Sequence, residues 1–214
     1  MKSKIEIIPI FSTPLVQISN FLSHQECNDL LGQVGKLEYH RPFDQYTGTF
    51  KITTYATNDH DYLRENQPWL QDRLEKKMVE VSKQMGNDDE VEFAVCSSWV
   101  TCTIPGGYSN SHTHANSYFS AVMYLQDVVS PIQFRRMQQP GMQFNISEKN
   151  HYNANEVIVT PSRGACLMFP SYLNHSVAQN LTDTLRYSIA ANFFPTGQWG
   201  IRESTVNTIV KGHS

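Results

Sequence analysis

The sequence predicts an α+β chain that is mainly β, with a barrel or sandwich core and helices packed outside it. Two helical patterns fall in the first 90 of the 214 residues. From residue 91 to residue 194 the hydrophobic period changes to that of short strands separated by turn residues. Charged residues make up only 17% of the chain and aromatic residues 11%, which suits a fold with much buried β surface.

The first 40 residues predict one strand and one helix. Residues 5–11 are apolar and β-branched, and Pro9 makes them an outer strand because proline cannot donate to a ladder. Ser23 followed three residues later by Glu26 forms a capping box, so a helix begins after Ser23 and ends near Gly35. Its apolar face is predicted to consist of Cys27, Leu30, Leu31 and Val34.

A second helix begins at Pro68 and ends before Gly86. Its apolar residues recur at spacings of three and four, which predicts a core stripe that packs on a sheet. They are Trp69, Leu70, Leu74, Met78, Val81 and Met85. The irregular, aromatic residues 38–62 before it are long enough to shape a substrate entrance.

The remaining chain predicts a series of strands in one domain of residues 1–214. Its strands are predicted at residues 91–104, 118–125, 157–160, 164–169 and 186–194. Residues 135–155 are rich in polar side chains and methionine, and they are predicted to be an insertion that acts as a lid. We expect residues 1–90 to support a β core at 91–195, followed by a polar tail at 196–214 with a β-like piece at 204–210.

Charge and cysteine usage exclude several classes of protein. The formal net charge of −3 gives no general attraction to nucleic acid. No apolar run approaches the roughly 18 residues of a membrane span, and no signal peptide is recognisable. The four cysteines are dispersed among apolar neighbours without a C-x-x-C pair, which is typical of reduced thiols in a cytoplasmic protein. Whether the chain forms a homodimer is left open.

Three histidines are the candidate metal ligands. In an extended strand His112 and His114 project from one face about 7 Å apart, a geometry that can chelate one ion. His175 from another strand would complete a face of three nitrogen ligands and leave the opposite face open. Taken alone, an H-x-H pair in a Ser/Asn-rich segment is more often a pair of surface residues.

Arg186 and Ser188 form a candidate carboxylate site. Arg186 opens a strand eleven residues after His175, with Ser188 on the same strand face. A guanidinium holds a planar carboxylate by two parallel hydrogen bonds, and a hydroxyl can add a third. If the strand is a barrel wall, the inward residues are Arg186, Ser188, Ala190 and Asn192, while Tyr187, Ile189, Ala191 and Phe193 face outward.

H-x-H, a distant His and R-x-S together resemble the iron(II)- and 2-oxoglutarate-dependent oxygenases, whose fold is a double-stranded β-helix, a jelly-roll or cupin-like barrel. The chain is similar in particular to a bacterial and phage branch in which the second ligand position is His. The opening Phe21-Leu22-Ser23-His24-Gln25-Glu26-Cys27 is similar to the first helix of prolyl-4-hydroxylase-type members. The resemblance covers residues 90–194 well and the first 90 residues weakly.

The resemblance implies a role for each motif residue. His112 and His175 match the two histidine ligands of Fe(II), and His114 stands where the family carries a carboxylate. Arg186 matches the residue that binds the far carboxylate of 2-oxoglutarate, with Ser188 as its partner. Tyr124 is a further candidate donor to this cosubstrate, and a plain core role for it is an equal alternative.

The implied reaction is hydroxylation of a peptidyl residue or a small molecule by molecular oxygen, with release of succinate and CO2. It needs no side chain as general base. Three neutral imidazoles leave the ion its full +2 charge. Because imidazole binds Zn, Cu, Ni and Fe alike, the sequence predicts the identity of the ligands better than the identity of the metal.

Two other readings stay open. Gly164, Pro170 and His175 have the spacing of a cupin motif, which allows a three-histidine dioxygenase without 2-oxoglutarate. Against it, Tyr172 replaces the motif glycine and no Glu follows His114 at the expected distance. A non-catalytic metal-binding β-helix module is the other alternative. The nucleic-acid demethylase branch is disfavoured because Asn192, not arginine, stands six residues after Arg186.

Overall fold

The computed structural model describes residues 12–40, 54–57, 60–87, 91–127, 130–137 and 145–211. The helices within these ranges are α1 (His24–Val34), α2 (Tyr62–Asn66) and α3 (Pro68–Gln84). The strands are β1 (Val16–Ile18), β2 (Thr54–Ala56), β3 (Glu92–Thr103), β4 (Ser109–His112), β5 (Phe119–Tyr124), β6 (Ile132–Arg135), β7 (Glu156–Val159), β8 (Cys166–Pro170), β9 (Asn174–Val177), β10 (Arg186–Trp199) and β11 (Val206–Thr208). The strand predicted at residues 5–11 lies outside the described residues.

The strands form two antiparallel sheets, called here the major and the minor sheet. The major sheet has the order β1-β8-β5-β10-β3-β2, with β11 paired to β10, and the minor sheet has the order β4-β9-β6-β7. From β3 to β10 the chain passes back and forth between the sheets, except that β6 and β7 follow each other in the minor sheet. This is the predicted double-stranded β-helix, with the helices outside the barrel.

One face of the major sheet packs against α1 and α3. The apolar face of α1 is buried as predicted, except that Leu31 is only partly buried. Its capping box is present: the Ser23 hydroxyl accepts from the Glu26 N–H at 3.2 Å, and the Glu26 carboxylate accepts from the Ser23 N–H at 2.7 Å. Because two otherwise unpaired N–H groups gain partners, the helix has a defined start.

Gly164 connects the start of α1 to the turn before β8. The Leu22 N–H donates to the Gly164 carbonyl at 2.9 Å. A Cβ at residue 164 would lie 2.4 Å from the Leu22 oxygen, and φ there is +76°. Only glycine fits a position that combines left-handed backbone with so close an approach.

Helix α3 confirms the predicted stripe with one correction. Leu70, Leu74, Met78 and Val81 are buried. The prediction for Trp69 was wrong, because its side chain is 41% exposed at the first turn and lies 4.8 Å below the Arg73 guanidinium. An aromatic ring beneath a cation is stable in this half-exposed setting, whereas the spacing pattern alone placed it in the core.

A second apolar cluster lies between the two sheets. Strand β8 shows why, since it is buried on both faces: Cys166 and Met168 contact the helix-side core, and Leu167 and Phe169 contact the inner cluster. The inner cluster consists of Tyr124, Ile132, Phe134, Leu167 and Phe169. It lies against His175, whose ring centroid is 4.8 Å from that of Phe169.

The strands that the sequence predicts between residues 91 and 194 are present, and several short strands are additional. Strands β3, β5, β7, β8 and β10 lie where the sequence predicted them, and β11 lies within the predicted piece at residues 204–210. No bounds were predicted for the short strands β1, β2, β4, β6 and β9. Described residues 145–155 contain no helix or strand, and residues 138–144 of the predicted lid lie outside the described ranges. Among the described helices, none has the length and hydropathy of a membrane span.

Candidate active site

His112, His114 and His175 converge at one side of the barrel. Each offers a ring nitrogen, and these nitrogens lie within 4.8 Å of one another. The ring centroids are 4.3 Å apart for His112 and His175, and 5.1 Å apart for His114 and His175. The spacing is the one that a single ion would bridge.

Strand pairing brings the three histidines together. His112 at the end of β4 lies directly opposite His175 on β9. His114 was expected on the same strand as His112, but β4 ends at His112 and His114 belongs to the following segment. There the His114 N–H donates to the Ser171 carbonyl at 2.9 Å, which holds the segment against the end of β8.

Backbone carbonyls hold the rings of two of these histidines. His112 Nδ1 lies 2.7 Å from the Asn110 oxygen, and His175 Nδ1 lies 2.9 Å from the Leu173 oxygen. A carbonyl oxygen can only accept, so each Nδ1 carries the proton, and in the neutral ring Nε2 is the nitrogen with the lone pair. A neutral imidazole in this tautomer is the form that binds a metal ion.

Burial keeps two of the rings neutral. His175 is 4% exposed, and its pKa falls to about 3 because burial and the neighbouring His112 both disfavour the imidazolium. The pKa of His114 falls to about 4 for the same two reasons, partly offset by a hydrogen bond with the Asn192 side chain. His112 is exposed. At neutral pH the two buried rings therefore have lone pairs available to a cation.

Trp99 lies against the His114 ring. The two rings are stacked with centroids 5.4 Å apart and an interplanar angle of 21°. Trp99 is on β3 directly opposite Ala190 of β10, so the small side chain of Ala190 leaves the indole room to turn toward the histidine. Sequence reasoning did not single out Trp99, because its partner is set by strand register.

Arg186 points into the same barrel from the start of β10. Its Nη2 donates to the Thr103 hydroxyl at 3.0 Å and its Nη1 to the Ser130 carbonyl at 3.5 Å. Its buried Nε has no hydrogen-bond partner, and within the described part of the chain no carboxylate pairs with it. Burial lowers the pKa of Arg186, as expected where a guanidinium is largely desolvated without an anion.

Ser188 and Tyr124 lie beside this guanidinium. They face each other across β10 and β5, and the Ser188 hydroxyl is 2.6 Å from the Thr101 hydroxyl on β3. Tyr124 is 4% exposed, and burial raises its pKa while the nearby Arg186 charge lowers it. The structure thus groups Arg186, Ser188 and Tyr124, with Thr101 and Thr103 as polar neighbours that the sequence did not indicate.

These residues fit both groups that the sequence motifs suggested. Three ring nitrogens that converge at one side of the barrel suit a first-row divalent metal ion and leave coordination positions open. The unpartnered Arg186 Nε, flanked by hydroxyl donors, suits a carboxylate. The donor set by itself does not select iron over other metals.

The family model described as "Putative 2OG-Fe(II) oxygenase" matches residues 97–192. The match runs from the middle of β3 into β10 and includes all three histidines and the arginine. Over this stretch the chain matches the iron(II)- and 2-oxoglutarate-dependent oxygenases.

Solved structures share the fold of this chain at low sequence identity. The epimerase SnoN from nogalamycin biosynthesis, in complex with Fe3+, alpha ketoglutarate and nogalamycin RO, is 14% identical with a TM-score of 0.61, over 85% of this chain and 78% of that one. A Pseudomonas putida prolyl-4-hydroxylase is 14% identical with a TM-score of 0.58, over 85% and 93%. HygX from Streptomyces hygroscopicus, with nickel, 2-oxoglutarate and hygromycin B bound, is 13% identical with a TM-score of 0.57, over 86% and 84%. A search of curated protein sequences found no match to this chain.

Proposed function

We propose that His112, His114 and His175 hold the Fe(II) of this oxygenase, and that Arg186, assisted by Ser188 and Tyr124, binds the far carboxylate of 2-oxoglutarate. The observation that carries this assignment is a trio of convergent imidazoles in the same barrel as a buried guanidinium that lacks an anion. The Arg186 Nε lacks a partner, and a guanidinium buried without an anion costs several kcal/mol, so we expect an anion to bind there.

Spacing along β10 supports the assignment. Trp99, whose ring stacks on His114, lies opposite Ala190, which marks the level of the histidines on the strand. At about 3.3 Å per residue, Ser188 is about 7 Å and Arg186 about 13 Å from that level. A five-carbon dicarboxylate together with an arginine side chain bridges such a span. The cosubstrate would therefore lie along the polar wall formed by β3 and β10.

The chain's own residues orient and enclose the reactants. The backbone carbonyls of Asn110 and Leu173 fix the rings of His112 and His175, and Phe169 of the inner apolar cluster packs against the His175 ring. When iron and 2-oxoglutarate are bound, they supply the oxidation of a substrate C–H bond by molecular oxygen, with succinate and CO2 as coproducts. No residue is required as a nucleophile or general base.

A three-histidine dioxygenase that works without 2-oxoglutarate is the second candidate. It is favoured by the ligand set, because His114 stands where the resemblance implies a carboxylate. It gives no role to the buried guanidinium of Arg186, whose Nε lacks a partner. For this reason we place it second.

Anaerobic titration with Fe(II), with and without 2-oxoglutarate, separates the two candidates. We expect a weak visible charge-transfer absorption only when both are present, followed by release of succinate when oxygen is admitted. Metal binding without any spectral or thermal response to 2-oxoglutarate would support the second candidate. A metal that binds with no open coordination position would support a non-catalytic module.

The substrate is proposed to be a peptidyl residue or a small molecule. The fold similarity to a prolyl-4-hydroxylase favours the first, and the similarities to SnoN and HygX favour the second. Succinate release in the presence of proline-rich peptides, compared with small glycosides, tests the choice. We further propose that residues 1–214 work as one domain in the cytoplasm, a location supported by the four free cysteines.

A further inference from the structure

The His114 ring projects from a segment outside the strands. His112 and His175 lie on paired strands, and the Nδ1 of each donates to a backbone carbonyl. His114 instead follows the end of β4 and precedes a turn in which Asn116 has a φ of +57°. Its backbone N–H donates to the Ser171 carbonyl, a bond that fixes the chain and leaves the side-chain torsions free.

Trp99 lies against the flat face of this ring. The ring planes of Trp99 and His114 differ by 21°, with centroids 5.4 Å apart. The planes of His114 and His175 differ by 17°, with centroids 5.1 Å apart. His114 is therefore in stacked contact with one ring from the major sheet and one ring from the minor sheet.

A role in the hydrophobic core does not account for Trp99. Its side chain is only partly buried, and it belongs to neither apolar cluster of the described residues. Its neighbours on the inner face of β3 are the polar residues Ser97 and Thr101. Opposite it on β10 is Ala190, whose small side chain leaves room for the indole to reach the histidine.

The face of an indole is suited to a ring that carries positive charge. A divalent ion withdraws electron density from an imidazole that ligates it, and tryptophan attracts cations to its face more strongly than tyrosine or phenylalanine does. The resemblance implies a carboxylate at the position of His114, and an imidazole there leaves the ion its full +2 charge. Trp99 thus lies beside the ligand at which a negative charge is missing.

We propose that Trp99 is a positioning residue of the metal centre. Its indole holds the plane of the His114 ring, and its π face stabilises the positive charge that this ring takes up from the ion. The inference rests on the proposed metal centre and goes beyond it, because it assigns the side chain that supports the third ligand and partly compensates for the absent carboxylate.

Titration of the apo protein with Co(II), followed by visible absorption, tests this role without any need for turnover. Trp99→Leu removes the π face, and we expect Co(II) affinity to fall about 3- to 30-fold, the range for a cation and an aromatic face. Trp99→Phe keeps an aromatic ring, and we expect a loss of less than about 3-fold. A residue that only filled space would not distinguish the two variants in this way.

Trp69→Leu is the matched control. Trp69 is also a partly exposed indole beside a positive group, since it lies 4.8 Å from the Arg73 guanidinium, but it is in the first turn of α3. We expect this substitution to leave Co(II) affinity unchanged.

A fluorinated tryptophan provides a second test that does not depend on the folding of Trp99→Leu. Biosynthetic replacement of tryptophan by this analogue keeps the shape of the ring and weakens its π face, so Co(II) affinity should fall. The same replacement in Trp99→Phe alters only Trp69 and Trp199, and there we expect no change.

Wild-type affinity in Trp99→Leu, or equal losses in the Leu and Phe variants, would overturn the inference. An affinity that does not respond to fluorination of Trp99 would also overturn it. Failure of the wild type to bind Co(II) would instead remove the proposed metal centre. Normal Co(II) behaviour without any response to 2-oxoglutarate would remove the cosubstrate assignment and leave the role of Trp99 intact.

Discussion

The two faces of β10 differ in polarity. Toward α1 and α3 the strand presents Ile189, Ala191 and Phe193, all fully buried among apolar side chains. Toward the barrel interior it presents Arg186, Ser188 and Asn192, whose polar atoms contact hydroxyl groups on β3 and β5. Adjacent residues of one strand therefore belong to a dry core and to the candidate site.

The comparison shows how a strand can separate stability from function. Because side chains alternate between faces, a substitution on one face leaves the other face in register. The helix-side face contributes hydrophobic free energy, while the inner face retains a desolvated guanidinium that reduces stability until an anion binds. We expect substitutions on the helix-side face to lower stability. Loss of the guanidinium from the inner face should instead weaken anion binding without lowering stability.

The largest expected effect on stability is that of Phe193→Ala. Removing a fully buried aromatic side chain from the helix-side core should lower the free energy of unfolding by about 3–5 kcal/mol. Chemical denaturation of the apo protein measures this loss. Phe194→Ala, at a partly buried neighbour on the other face, should cost clearly less, and an equal loss would break the distinction between the faces.

Arg186→Ala should act in the opposite sense. Loss of the guanidinium should weaken 2-oxoglutarate binding at least about 30-fold, which corresponds to the lower end of 2–5 kcal/mol for a desolvated charge pair. Stability of the apo protein should stay the same or rise, because a buried unpaired charge disappears. Calorimetric titration of the Co(II)-loaded protein measures the first effect, and thermal unfolding of the apo protein the second.

Arg163→Ala is the control for this prediction. Arg163 also has a buried Nε without a partner, but its Nη2 donates to the His24 carbonyl and the Asn28 side chain of α1. We expect 2-oxoglutarate binding to be unaffected. A comparable loss of binding in both variants would mean that Arg186 does not contact the cosubstrate.

The smallest effect concerns the helix layer and depends on pH. A hydrogen bond from Arg73, with that of the Ser23 N–H, lowers the pKa of Glu26 from 4.5 to about 2. The lowered pKa stabilises the fold above pH 4.5, and this contribution is lost as the pH falls toward 2. Glu26→Gln keeps the capping geometry without the charge, so it should cost about 0.5–1 kcal/mol at pH 7 and almost nothing near pH 2. Denaturation at both values checks this, and a pH-independent difference would contradict it.

The sequence was sufficient where local pattern and structure coincide. The capping box of α1 and the stripe of α3 follow from propensity and periodicity, and alternation along β10 predicted its two faces. The fold itself came from the resemblance carried by the motifs at residues 112–114, 175 and 186–188. The sequence placed His112 and His175 on two different strands without giving the bounds of either strand. The two residues meet because β4 pairs with β9.

What the sequence could not show depends on register between distant strands. Trp99 stacks on His114 because Ala190 is its opposite neighbour, and Asn192 meets Ser97 and Ser120 across two different strands. Strand β3 also contains an irregularity in its pairing opposite Asn192 and Phe193, so the register there cannot be obtained by counting residues. From the sequence, Asn192 was expected only to face inward on its strand and to replace the second arginine of the demethylase branch.

The exposed position of His112, beside the deeply buried His175, has a consequence for metal loading. An ion held by these rings would be reachable from solvent on one side, so it could enter and leave the folded barrel without disturbing the core. Chelators would then strip the centre without denaturing the protein. The metal bound in a cell would then depend on which ions exchange with the folded protein, and not on which ion is present while the chain folds.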